Sequence, residues 1–177
     1  MDSLIFVEKC VILFNNSGFL NYFWQILTNL FPIILLSIII YLIKKRKNFV
    51  ILGLLALNIA LGMLLKKIIS IFYFTPRPYE LLVLTKTNIV ESSFFSNHTY
   101  FAFLCVFYIW YLTDNKIIKY SALILAIITA FSRIVLAQHY LVDILFGLIF
   151  AQIFFILSIK FYKKYHQSLS SSAKVSA

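Results

Sequence analysis
The chain has 177 residues, 62% of them hydrophobic and 12% charged, with a mean hydropathy of +0.94; one soluble domain of this length cannot hide that much apolar surface, so a soluble enzyme or soluble binding module is excluded. The net charge of +10 would point a soluble protein toward nucleic acid, but here the basic residues punctuate long apolar runs. They read as topology determinants, so the expected surroundings are bilayer lipids, with no nucleic acid and no protein partner.

In chain order, residues 4–18 are too short to span, and Leu4, Val7, Val11 and Phe14 recur at helical spacing. This predicts an amphipathic helix lying in the membrane interface. No cleavable signal peptide is expected, because Asp2 and Glu8 stand where a positive n-region belongs. A span needs about 20 apolar residues. Tyr22–Ile43 is the first and stops at Lys44-Lys45-Arg46-Lys47; Pro32 lies inside it. Asn48–Leu65 is the second and stops at Lys66-Lys67; Ser92–Thr113 is the third. Ile117–Ala137 is the fourth, with Arg133 near its end, and Tyr140–Lys160 the fifth, with Asp143 near its start. The expected fold is therefore an all-α integral membrane bundle of five transmembrane helices plus the interfacial N-terminal helix. It forms one domain over 1–165, with a Ser-rich, disordered tail over 166–177. Gly147 in the fifth span is suited to a close helix approach. Cys10 and Cys105 lack CxxC neighbours, which predicts neither a disulfide framework nor a metal site.

Lys44–Lys47, Lys116, Lys119, Lys160, Lys163 and Lys164 fall on one side of this arrangement, which should be cytoplasmic. Tracing the last three spans brings the other polar residues together. From His98 the chain descends to Lys116 and climbs back to Arg133, each leg roughly 16 residues or about 24 Å of helix. Arg77, Ser96, His98, Arg133, His139 and Asp143 should thus share one layer near the outer interface. Ionisable groups there are costly and are candidates for function. Two guanidinium forks suit the oxygens of a phosphoryl group. His139 and Asp143, four apart, should face the same way on a helix; the carboxylate can hold one ring nitrogen protonated and leave the other free to attack. His98 can protonate a leaving alkoxide.

Ser132-Arg133-x5-His139-x3-Asp143 matches the third motif of the type 2 phosphatidic acid phosphatase superfamily, which also contains vanadium haloperoxidases. Phe95-Ser96-Asn97-His98-Thr99 resembles its second motif, Pro-Ser-Gly-His-Thr, and Thr75-Pro76-Arg77-Pro78 resembles the end of its first, Lys-x6-Arg-Pro. The resemblance covers about residues 64–147. It implies a helical bundle with the site at the ends of the core helices. It also implies His139 as the nucleophile that forms a phosphohistidine, Asp143 as its orienting partner and His98 as the acid. Arg77, Arg133, Ser96 and the backbone near Asn97 would cradle the phosphate, without metal or cofactor. The chain departs from the pattern in four places. Ser70 occupies the family's lysine slot, with Lys67 the expected substitute and Lys66 the runner-up; Phe95 replaces proline; Asn97 replaces glycine; and Ala137 stands where glycine is common. Asn97 is expected to adopt unusual backbone angles in the glycine's place.

The implied activity is removal of phosphate from a membrane lipid phosphate, with lipid A 1-phosphate first and undecaprenyl diphosphate or phosphatidylglycerophosphate as alternatives. The implied location is a bacterial inner membrane, with the site facing the periplasm and Glu80 and Glu91 the main acidic residues on that face. A haloperoxidase-like enzyme on the same residues, and a transporter or non-catalytic scaffold, are the competing classes. Few polar residues lie in mid-span, where a transport path would need them.

Overall fold
The computed structural model describes residues 2–82 and 92–175, and every regular element among them is an α-helix. Lys86 and Glu91 lie outside the described residues. The helices are α1 (Asp2–Phe14), α2 (Gly18–Arg46), α3 (Val50–Phe72), α4 (Pro78–Leu81), α5 (Asn97–Leu112), α6 (Lys116–Val135) and α7 (Leu141–Val175).

Four helices are long and apolar enough to cross a bilayer: α2, α3, α6 and the Leu141–Tyr165 part of α7. The chain is a multi-pass membrane protein. The expected third span starts later than its apolar run. Ser96 breaks the run by N-capping α5, its hydroxyl accepting from the Thr99 N–H at 3.4 Å, which satisfies one orphan donor of the first turn. Residues 92–96 are consequently a connecting segment, and α5 has only 16 residues. It is packed by α2, α3, α6 and α7, with Tyr100, Leu104, Cys105, Tyr108 and Leu112 buried.

Close approach around α5 is built from small residues. A side chain at Gly62 of α3 would collide with the Tyr100 ring, and the Tyr100 hydroxyl donates to the Asn58 carbonyl at 2.5 Å. A Cβ at Gly147 of α7 would sit 3.0 Å from the Ser96 carbonyl oxygen, so the absence of a side chain brings α7 onto the first turn of α5. Asn58, buried, donates to the Tyr108 hydroxyl at 2.9 Å and accepts from Ser158 at 2.8 Å, tying α3, α5 and α7 where bare polar groups would be costly.

At the N-terminus, α1 buries Val7 and Cys10 against Ala130, Ile134 and Tyr140 and turns Ile5, Phe6, Ile12 and Leu13 outward. Trp24 closes the α1–α2 turn by donating to the Phe14 carbonyl at 2.7 Å. At the other end α7 continues helically to Val175, through the Ser-rich stretch whose composition suggests disorder. Extending a formed helix is far less costly than nucleating one.

Candidate active site
The C-terminal ends of α3 and α6 and the N-terminal ends of α5 and α7 meet at one end of the bundle. They enclose a cavity of about 510 Å³ lined by Lys66, Lys67, Arg77, Asn97, His98, Arg133 and His139, among others. The layer of polar residues expected from counting along the helices therefore forms, apart from Ser96 and Asp143, which lie behind it.

Its nucleophile end is built by a turn. The chain leaves α6 through Ala137, whose φ of 52° lies in the left-handed region, and the N–H groups of Gln138 and His139 return to the Arg133 carbonyl at 2.9 and 3.2 Å. This helix-ending arrangement favours glycine, which accounts for the family's preference there. The turn sets the imidazole of His139, 2% exposed, beneath the cavity. His139 precedes α7, so it does not share a helical face with Asp143 as expected. Asp143 instead occupies the third position of α7 and accepts from the Tyr140 N–H at 2.9 Å, a capping contact that also places negative charge at the helix N-terminus. Its Oδ2 lies 3.7 Å from His139 Nδ1, while Nδ1 lies 2.8 Å from the Ser93 carbonyl. A carbonyl only accepts, so Nδ1 carries the proton and Nε2 holds the lone pair. Burial holds the His139 imidazole well below its ordinary pKa, Asp143 pulls it the other way, and Arg133 and Lys66 reinforce the lowering.

The phosphate end is cationic. Arg77 precedes Pro78 in extended backbone, as the residue before proline tends to, and its Nη1 donates to Gln138 Oε1 at 2.5 Å. Arg133 donates to Thr28 of α2 at 3.5 Å. Its buried Nε has no hydrogen-bond partner among the described residues, a costly state that an anion in the cavity would relieve. Lys66 donates to the Phe95 carbonyl at 2.9 Å and is half-buried; Lys67 also lines the cavity but is exposed. The runner-up lysine is thus the one anchored to the segment that carries the second motif. Ser96, buried, spends its hydroxyl on the α5 cap and on Thr99 Oγ1 at 3.1 Å, rather than lining the cavity. Asn97 has an ordinary backbone, since only Lys47 and Ala137 show positive φ among the described residues. As the first residue of α5, it brings a helix N-terminus to the cavity, a favourable setting for an anion.

A family model described as the PAP2 superfamily matches residues 51–167, more than half of the chain. The chain belongs to the PAP2 superfamily. No curated protein matches it significantly. Among solved structures it is similar to Aquifex aeolicus LpxE, at 24% identity and a TM-score of 0.68, covering 90% of this chain and 96% of that one; at that identity the likeness is one of fold. PAP2 membership supports a phosphatase, and a lipid phosphate as its substrate. The three PAP2 motifs of the sequence come together around this one cavity. Three further residues touch the motif side chains: Ser93 and Thr28, outside the motifs, and Gln138, at a variable position inside the third. Thr28 carried only a weak signal, as one of several polar residues in a long apolar helix; Ser93 and Gln138 had none beyond proximity to a motif.

Proposed function
We propose that this PAP2 protein hydrolyses a lipid phosphate or diphosphate through a phosphohistidine on His139. The observation that carries the reading is the meeting of an imidazole held as its Nδ1–H tautomer with two arginines and a lysine around one cavity. Nε2 of His139 attacks phosphorus, and His98, across the cavity, gives its proton to the leaving oxygen. Water then attacks the phosphohistidine, with His98 taking its proton, and releases inorganic phosphate. Arg77, Arg133, a lysine and the α5 N-terminus with Asn97 hold the equatorial oxygens as charge develops. Ser96 shapes that helix end, and Asp143 supports the imidazolium that forms. No step is assigned to a metal or cofactor.

The substrate arrives by lateral diffusion, because the site lies at the membrane end of an apolar bundle. Lipid A 1-phosphate is the first choice, with overlapping activity on undecaprenyl diphosphate and phosphatidylglycerophosphate. The near full-length match to LpxE is in keeping with that choice. The site faces the periplasm from a bacterial inner membrane. Initial rates on the three lipids in one detergent test the substrate. Dominance of undecaprenyl diphosphate would replace lipid A and keep the mechanism; turnover of water-soluble phosphates alone would remove the lipid reading.

A further inference from the structure
Ser93 belongs to none of the three motifs, yet it bonds to residues of the first and the third. It is fully buried. Its N–H donates to the Thr75 carbonyl at 2.8 Å, in the segment that carries Arg77. Its own carbonyl accepts from His139 Nδ1 at 2.8 Å. Its hydroxyl donates to Asp143 Oδ2 at 2.5 Å and lies 3.5 Å from His139 Nδ1. A direct Asp–His hydrogen bond would be about 2.7–2.9 Å long, and the 3.7 Å between Asp143 and His139 is outside that range.

We propose that Ser93 is the positioning residue of the His139 nucleophile: its main-chain carbonyl fixes the Nδ1–H tautomer, and its hydroxyl anchors the Asp143 carboxylate beside the ring. Asp143 then acts on the imidazole as a nearby charge rather than as its direct acceptor. Because the hydroxyl draws on the carboxylate's charge, removing it leaves a stronger negative charge beside His139. The imidazolium is then easier to form. The other groups that face His139 are Lys66 of α3, His98 of α5, Arg133 of α6 and Arg77 ahead of α4; none of them changes in a Ser93 variant.

The proposal rests on the phosphatase reading, and its test separates the two. Nitrogen-15 NMR of the full chain in detergent needs no turnover, and only three histidines need assignment. His139 is expected as the Nδ1–H tautomer in the wild type, and still so in Asp143→Asn, because the carbonyl is untouched. In Ser93→Ala its titration midpoint is expected to move to higher pH; Ser93→Thr, which keeps the donor, is expected to restore the wild-type midpoint. In phosphate-release assays, Ser93→Ala should lower kcat about tenfold, the order of effect typical of a partner that orients a reacting group, with KM little changed. The acid limb of its pH profile should rise with the midpoint. An Nε2–H tautomer in the wild type, loss of the Nδ1–H tautomer in Asp143→Asn, or an unmoved midpoint in Ser93→Ala would overturn the proposal. If Ser93→Ala does not fold, the tautomer in the wild type and in Asp143→Asn still decides it. A wild type that releases no phosphate from any lipid, yet shows these NMR signatures, would sink the phosphatase reading and leave the positioning role standing.

Discussion
At the scale of single residues, the proposed mechanism makes opposite demands on its two histidines: His139 neutral for attack, His98 carrying the proton it donates. In the proposed mechanism only the neutral His139 ring attacks, and burial lowers its pKa. Activity should therefore persist as pH falls and be lost only on passing the depressed value. The acid limb of kcat/KM is expected below about 6.5, the ordinary imidazole value; a limb above it would show that the ring is not buried as described. Ala137 makes a second prediction. An L-residue in the left-handed region costs about 1–2 kcal/mol, and Ala137 stands there at φ 52°. Ala137→Gly should raise the unfolding free energy by about 1 kcal/mol, less a small loss from the buried methyl, measured by thermal unfolding in detergent. Destabilisation would mean that the turn is not strained.

At the scale of elements, two helix ends are stitched into the site, and each stitch can be cut. Lys66 and Lys67 are neighbours on α3, but only Lys66 reaches the Phe95 carbonyl. Lys66→Met should reduce turnover about tenfold or more, and Lys67→Met should do less, by loss of one stabilising charge on the phosphoryl group. The reverse order would assign the family lysine to Lys67. Gly147→Val should separate α7 from the first turn of α5, since even a Cβ would meet the Ser96 carbonyl at 3.0 Å; lost activity with lowered stability is expected, measured on one preparation. Much of this was legible from residue spacing. Helical rise brought Arg77, His98, Arg133 and His139 to one depth, and apolar runs, two of them with a single charge near one end, located α2, α3, α6 and α7. What was not legible depends on capping and loop path. Hydropathy does not register that Ser96 caps α5 and delays its start, or that α6 ends in a left-handed turn that takes His139 off the helix. A connecting segment carries Ser93 across the site without any sequence periodicity to announce it.

At the scale of the whole molecule, the basic clusters and the cavity lie at opposite ends of the bundle. Lys44, Lys45 and Arg46 close α2 and Lys116 opens α6, whereas the cavity gathers the other ends of α3, α5, α6 and α7. The proposed outward-facing site requires the basic end to be cytoplasmic. Arg46→Cys should resist an impermeant maleimide in intact cells while Tyr73→Cys, exposed near the cavity, is labelled; the opposite pattern would invert the topology. The central claim, that a buried imidazole in a cationic cavity takes phosphate from a lipid, is tested most directly by mixing the detergent-solubilised protein with a phosphorus-32-labelled lipid phosphate and quenching in alkaline SDS. The account predicts an acid-labile, base-stable phosphoenzyme in the wild type. It also predicts none in His139→Ala, whose phosphate release should fall by about a thousandfold or more. Full turnover by His139→Ala would contradict it.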